Sequence, residues 1–98
     1  MTRKEIFANA INCVCGDREQ DYGSPENNFD TIAKMWGAYL HNLPVNASGH
    51  PLIKEKDVAA MLALLKIARI SSGHAKADNW IDLAGYAACG GELESEGC

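Results

Sequence analysis

Four charged residues on the two C-terminal apolar segments stand at spacings that could bind a phosphate group or a metal ion. Lys66 and Arg69 are three positions apart and Asp78 and Asp82 are four apart, so each pair projects from one face of a helix. Lysine and arginine bind phosphate oxygens through charge-assisted hydrogen bonds, and paired carboxylates bind a divalent cation or a ribose. Tyr86 continues the row of the two aspartates. These five residues form the first candidate ligand site.

The connection between the two segments is short, so we expect them to run antiparallel about a turn near His74. This register predicts that Lys66 faces Asp82 and that Arg69 faces Asp78. Two explanations remain open. The pairs could be interhelical salt bridges, each worth about 0 to 1 kcal/mol at a surface. Alternatively, a ligand uses these charges, because charges beside so apolar a helix are costly to bury without a further role.

A second candidate element is the run Tyr22–Phe29, which opens a helix. Ser24 is a preferred N-cap and is followed by a proline, so backbone N–H groups at this end are available to an anion. The amide of Asn28 suits the edge of a base or a sugar. We therefore add Tyr22, Gly23 and Asn28 to the candidate ligand-binding residues. The alternative is a well-capped helix start without a ligand.

Hydrophobic periodicity and capping residues predict four α-helices that position these groups. Thr2 and Glu5 form a capping box, and Pro44 closes the second helix. Alternating runs of β-branched residues are absent, so the fold class is all-α, most simply a four-helix bundle in a single domain over residues 1–98. The predicted helices cover residues 2–16, 24–43, 54–72 and 76–92.

The centre of the third helix, Val58–Leu65, is apolar on all sides and must be covered by several helices or by a second subunit. We expect Trp36, Tyr39 and Trp80 in the core. A chain of 98 residues buries only about two-thirds of the surface that its unfolded form exposes. We therefore expect an oligomer.

Composition limits the partners. The net charge is −4 and the basic residues are not clustered, which argues against binding to long DNA or RNA. A small phosphorylated ligand needs only two or three cations. The sequence contains neither an apolar run of about 18 residues nor a signal core, so we expect no membrane partner, a cytoplasmic location and free thiols. The expected partners are a small phosphorylated nucleotide and other copies of the chain.

Three runs of the sequence resemble a family of small phage and prophage proteins of no settled function: Tyr22–Phe29, Lys66–Arg69 and Asp78–Tyr86. That family is in turn similar to the MazG-type all-α nucleoside triphosphate pyrophosphohydrolases, chiefly through Asp82–Tyr86. The resemblance implies a MazG-like bundle in the cytoplasm of an infected or lysogenic bacterium. MazG-type enzymes hold magnesium with acidic pairs from two facing helices, and water attacks the phosphate chain under those metals.

The chain departs from the MazG pattern on its third helix, where Lys66 and Arg69 stand on the face that should carry acids. A site of this kind can bind a nucleotide without a metal and lacks an obvious general base. We therefore expect no catalytic residue and no cofactor. The predicted function is capture, without turnover, of a phosphorylated nucleotide that is linear or cyclic. In a phage, such capture would counter host defence that signals through nucleotides.

Two alternatives remain open. The first is a magnesium-dependent, MazG-like pyrophosphohydrolase in which Asp78 and Asp82 hold the metal with Glu26 or Asp57. The second is a structural or protein-interaction helical module in which the paired charges are salt bridges alone.

Overall fold

The computed structural model describes residues 1–17, 25–72 and 76–96, and over these ranges it is helical with no strand. It confirms the all-α prediction, with four α-helices. Their bounds are α1, Arg3–Asn12; α2, Pro25–His41; α3, Glu55–Ser71; and α4, Ala77–Glu96. A short π-helical segment, Cys13–Asp17, continues α1.

The start of α1 follows from its capping box. The Glu5 N–H donates to the Thr2 hydroxyl oxygen at 3.2 Å, and the Thr2 N–H donates to the Glu5 carboxylate at 3.4 Å. These two bonds satisfy N–H groups that a helix start leaves without partners. The predicted start of the first helix is therefore confirmed.

The connection between α2 and α3 folds back on itself. Leu52 N–H donates to the Pro44 carbonyl oxygen at 2.8 Å, and the Asn46 side-chain oxygen accepts the N–H groups of Ser48 and His50. Gly49 has a φ of 83°, a conformation that side chains with a Cβ rarely adopt. This long connection thereby returns the chain to begin α3 antiparallel to α2.

Helix α3 lies between α2 and α4. From α2, the Trp36 indole N–H donates to the Met61 carbonyl oxygen at 2.8 Å. From α4, Asp82 contacts Lys66, and Gly90 lies so close to Ala59 that a Cβ on the glycine would stand 3.4 Å from the alanine Cβ. At about 100° per residue, the α3 positions that meet α2 and those that meet α4 lie on nearly opposite sides. The three helices therefore lie side by side in one layer.

The close contact at Gly90 accounts for a difference from the sequence prediction. Helix α4 was expected to end at residue 92, because Gly90 and Gly91 weaken a helix. In the structure it continues to Glu96. Packing of Gly90 against Ala59 offsets the low helix propensity of the glycine pair.

Few side chains of this layer are buried, as expected for a layer with two open faces. The buried apolar residues among those described are Ile32, Ala59 and Ala68. Trp80 is 58% exposed, so its predicted place in the core is wrong. Helix α1 buries none of its residues. The radius of gyration of 16.3 Å exceeds the value of about 13 Å expected for a compact chain of this length.

A buried carboxylate lies inside the α2–α3 interface. The Tyr39 hydroxyl donates to a carboxylate oxygen of Asp57 at 2.6 Å, and the Lys54 N–H donates to the other oxygen at 2.8 Å. Asp57 is 2% exposed. The hydrogen bond from Tyr39 is the main reason that the pKa of Asp57 lies below its ordinary value, and the same bond raises the pKa of Tyr39 to about 12.

Replacement of Tyr39 by Phe should lower the free energy of unfolding by about 1.5–3 kcal/mol at pH 7, because a buried carboxylate loses a hydrogen bond. Urea titration measures this loss. Tyr86→Phe is the matched control, since the Tyr86 hydroxyl makes no hydrogen bond to the described residues, and its effect should stay within about 0.5 kcal/mol.

The loss should also depend on pH. The folded-state pKa of Asp57 lies below the unfolded value of about 3.9, so its contribution is complete above that pH and disappears as pH falls through the folded value. The difference between parent and Tyr39→Phe should therefore shrink in acid. An equal difference at pH 7 and pH 2 would contradict this account.

Candidate functional site

The predicted pairing of Lys66 with Asp82 is confirmed. The Lys66 ammonium lies 2.8 Å from a carboxylate oxygen of Asp82. Lys66 is only 8% exposed, whereas the Asp82 side chain is about half exposed. A lysine this deeply buried keeps its charge at an acceptable cost only when an opposite charge neutralises it. Asp82 supplies that charge from the solvent side of the α3–α4 interface.

Arg69 and Asp78 extend the same edge towards the start of α4. Arg69 lies one turn beyond Lys66 on α3 and is half-buried, and Asp78 lies one turn before Asp82 and is exposed. Because α3 and α4 are antiparallel, these two residues occupy the same level of the layer. Their direct pairing stays a prediction. We call the edge formed by these four residues and Asn79 the charged edge.

Asn79 is the member of the charged edge that the sequence analysis missed. It is 3% exposed, and its side-chain Nδ2 has no hydrogen-bond acceptor within the described part of the chain. A buried donor without a partner costs about 1–3 kcal/mol, so such groups in native proteins need an explanation. The available signal was its spacing, because Asn79 stands one turn before Asp82 and two turns before Tyr86, on the side of α4 that meets α3.

Asn28 and Tyr86 stay predicted ligand residues. Asn28 stands eleven residues before Tyr39, which is about three helical turns, so the two side chains share a row of α2. The Asn28 side-chain oxygen is buried and has no donor among the described residues. Tyr86 lines a groove of about 310 Å³ together with Tyr39 and Ala60. Ala60 stands nine residues before Arg69, half a helical turn out of phase with it, so the groove lies on the other side of α3 from Arg69.

The other residues considered as ligands, either of a nucleotide or of a metal ion, lie outside the charged edge or outside the described residues. Tyr22 and Gly23 lie outside the described residues, as does the side chain of Glu26. His41 and His50 are exposed, as expected. Cys13, Cys15 and Cys89 are exposed free thiols. The described residues contain no group of three His, Cys, Asp or Glu side chains that could hold a metal ion.

The charged edge combines donors of three kinds. Lys66 contributes an ammonium, Arg69 a guanidinium and Asn79 a buried amide N–H. Asn79 stands in the first turn of α4, where backbone N–H groups carry a partial positive charge, and Lys66 contacts Asp82 in the second turn. These are the groups that bind phosphate oxygens in proteins. Asp82 balances the charge of Lys66, and the pairing of Asp78 with Arg69 stays a prediction.

No described helix is both long enough and apolar enough to span a membrane.

Replacement of Asn79 by Leu should stabilise the ligand-free protein by about 1 kcal/mol, because a side chain of similar size removes the unmatched donor. The protein is first unfolded and refolded to remove bound small molecules, and thermal unfolding then measures the change in stability. Asn42→Leu at an exposed position serves as control and should stay within about 0.5 kcal/mol. A loss of stability in Asn79→Leu would mean that the amide already has a partner.

Comparison with known proteins agrees with the resemblance to phage proteins. A model of a domain of unknown function, DUF6378, matches residues 5–94. The Gene 55 protein of Mycobacterium phage L5 is 38% identical over 82 residues, which are 84% of this chain and 47% of the phage protein. The Gene 55 protein of Mycobacterium phage D29 is 34% identical over 86 residues, which are 88% of this chain and 51% of the phage protein.

The chain thus spans about half the length of these curated relatives. No solved structure matches it significantly. The family model covers nearly all of the sequence from the capping box to the last turn of α4. The chain therefore belongs to the DUF6378 family.

Proposed function

We propose that this protein captures a small phosphorylated nucleotide at the charged edge and does not turn it over. The observation that carries the proposal is the buried, unmatched amide of Asn79, which lies one turn of α4 from Asp82, the partner of the buried cation of Lys66. Both groups are donors, so the ligand that completes them must present acceptors. A phosphate group presents several acceptor oxygens together with negative charge.

Lys66 supports the proposal through the geometry of its ion pair. An ammonium group has three N–H donors, and Asp82 is its one ion-pair partner among the described residues. Asp82 is half exposed and can turn towards water when an anion approaches. Arg69, one turn away, supplies the planar donor group that binds two phosphate oxygens at once.

The contacts of the carboxylates favour binding over hydrolysis. A MazG-like mechanism would require magnesium, and the residues present fit that ion poorly. One oxygen of Asp82 lies 2.8 Å from the Lys66 ammonium, so a divalent cation there would meet a positive charge. Asp57, the acid of α3 that could assist, is held by Tyr39 and Lys54 inside the α2–α3 interface.

The similarity to phage proteins suggests where such capture would take place, namely in a bacterial cell infected by a phage. A phage protein that holds a nucleotide without consuming it lowers the free concentration of that nucleotide in the host cell. If the ligand is a linear or cyclic nucleotide that signals infection, capture keeps it from its receptor. The proposal therefore includes a role against host defence that depends on nucleotide signals.

Replacement of Lys66 by Met should weaken nucleotide binding about 10- to 150-fold, which corresponds to the loss of about 1.5–3 kcal/mol from a charge-assisted hydrogen bond. The fold should survive, because Asp82 is half exposed and stays hydrated. Lys34→Met is the matched control. Lys34 also lies 2.8 Å from an aspartate, Asp30, but both side chains are exposed, so affinity should not change.

Equilibrium dialysis measures binding of three ligands: a nucleoside triphosphate, a cyclic mononucleotide and a cyclic dinucleotide, each with and without magnesium. Chromatography of the dialysed samples then identifies any products. The proposal predicts retention of an unchanged nucleotide by the parent and its loss in Lys66→Met. Magnesium-dependent release of pyrophosphate would instead identify a hydrolase. Retention of no nucleotide would overturn the proposal in favour of a structural module.

A further inference from the structure

Helix α1 carries an apolar face that its own chain does not cover. Ile6, Phe7, Ile11 and Val14 recur at helical spacing and are 52–69% exposed. None of the α1 residues is buried. A contiguous apolar helix face of this kind marks a protein interface, since its exposure to water is unfavourable.

The layer of α2, α3 and α4 presents a complementary surface. It is the groove of about 310 Å³, which we call the small-residue groove. Tyr39 and Tyr86 line it, and its other apolar residues lack large side chains: Ala59, Ala60, Ala63, Ala87, Gly90 and Gly91. Small residues of this kind allow another helix to approach closely and leave room for its large side chains.

The dimensions of the helix and the groove agree. The groove extends along α4 from Tyr86 to Glu94, eight residue steps or about 12 Å of helix. The apolar face from Phe7 on α1 to Val14 on its π-helical continuation spans seven steps, or about 10 Å.

We propose that α1 of a second copy of this chain lies in the small-residue groove. In the structure α1 does not fill the groove of its own chain. In a pair of chains, the α1 of each copy can bind the groove of the other, so that both apolar helix faces and both grooves are covered and the assembly is closed. This interface is independent of the proposed nucleotide site, which lies on the other face of the layer.

Charge fixes the direction of the inserted helix. Arg3 and Lys4 are exposed at the start of α1, and Glu92 is exposed near the end of α4, where Glu94 already pairs with Lys56 at 3.2 Å. The two groups attract when α1 begins at the end of α4, so the partner's helix runs antiparallel to α4.

Two substitutions break the interface from opposite sides. Gly91→Leu fills the groove, and the helix tolerates it because a Cβ at this position meets no atom within 4 Å. Phe7→Glu places a charge on the apolar face of α1 at a site that is 69% exposed. Gly85→Leu is the control, since its Cβ also meets no atom and the residue does not line the groove.

Sedimentation equilibrium should give the mass of two chains for the parent and for Gly85→Leu. The dimer dissociation constant of Gly91→Leu and of Phe7→Glu should be at least tenfold higher than that of the parent. A parent that is monomeric at about 100 µM would overturn the proposal. Association that neither substitution weakens would overturn it as well.

A mixture of the two defective variants tests exchange directly. The Phe7→Glu chain keeps an intact groove, and the Gly91→Leu chain keeps an intact α1. The mixed pair therefore regains one complete contact and should associate more tightly than either variant alone. No gain on mixing would show that α1 and the groove do not meet across two copies.

Discussion

The ion pair between Lys66 and Asp82 allows a charged side chain to be buried on a helix that is otherwise almost entirely apolar. Without Asp82, the ammonium of Lys66 would face the unfavourable transfer of an isolated charge out of water. The pair belongs to the register of α4 against α3 in which Gly90 packs onto Ala59 and Glu94 lies 3.2 Å from Lys56. The same register brings Asn79, near the start of α4, to the level of Arg69 on α3.

The arrangement of three helices in one layer separates the chain into two surfaces with different chemistry. One face carries the charged edge, with donors that suit an anionic ligand. The other carries the small-residue groove, which suits an apolar helix. Because α3 is covered on two sides only, its apolar surface requires further contacts, as the sequence indicates for Val58–Leu65. A second copy supplies such contacts at the groove and leaves the charged edge accessible to a ligand.

Much of this architecture could be predicted from local sequence signals. The Thr2–Glu5 capping box set the start of α1, and the antiparallel register of α3 and α4 gave the Lys66–Asp82 contact correctly. Both depend on spacing along one helix or across one short connection. The end of α4 was placed too early, because the packing of Gly90 against α3 is a tertiary effect that propensity does not record.

The features that were missed depend on how α2 and α4 meet α3. The hydrogen bond from Tyr39 to Asp57 joins residues on either side of a long connection, whose geometry the sequence does not specify. The exposure of Trp80 and the burial of Asn79 reverse the usual preferences of these residue types, and only the position of α4 on α3 determines them.

The most direct test of the charged edge as an anion site is the nuclear magnetic resonance signal of the Asn79 side-chain amide during titration with inorganic triphosphate. The account predicts that this signal shifts and saturates as triphosphate binds, because its N–H gains an acceptor. The side-chain amide of Asn42, which is exposed just beyond the end of α2, should not respond. An Asn79 signal that stays unchanged at saturating triphosphate would contradict the account.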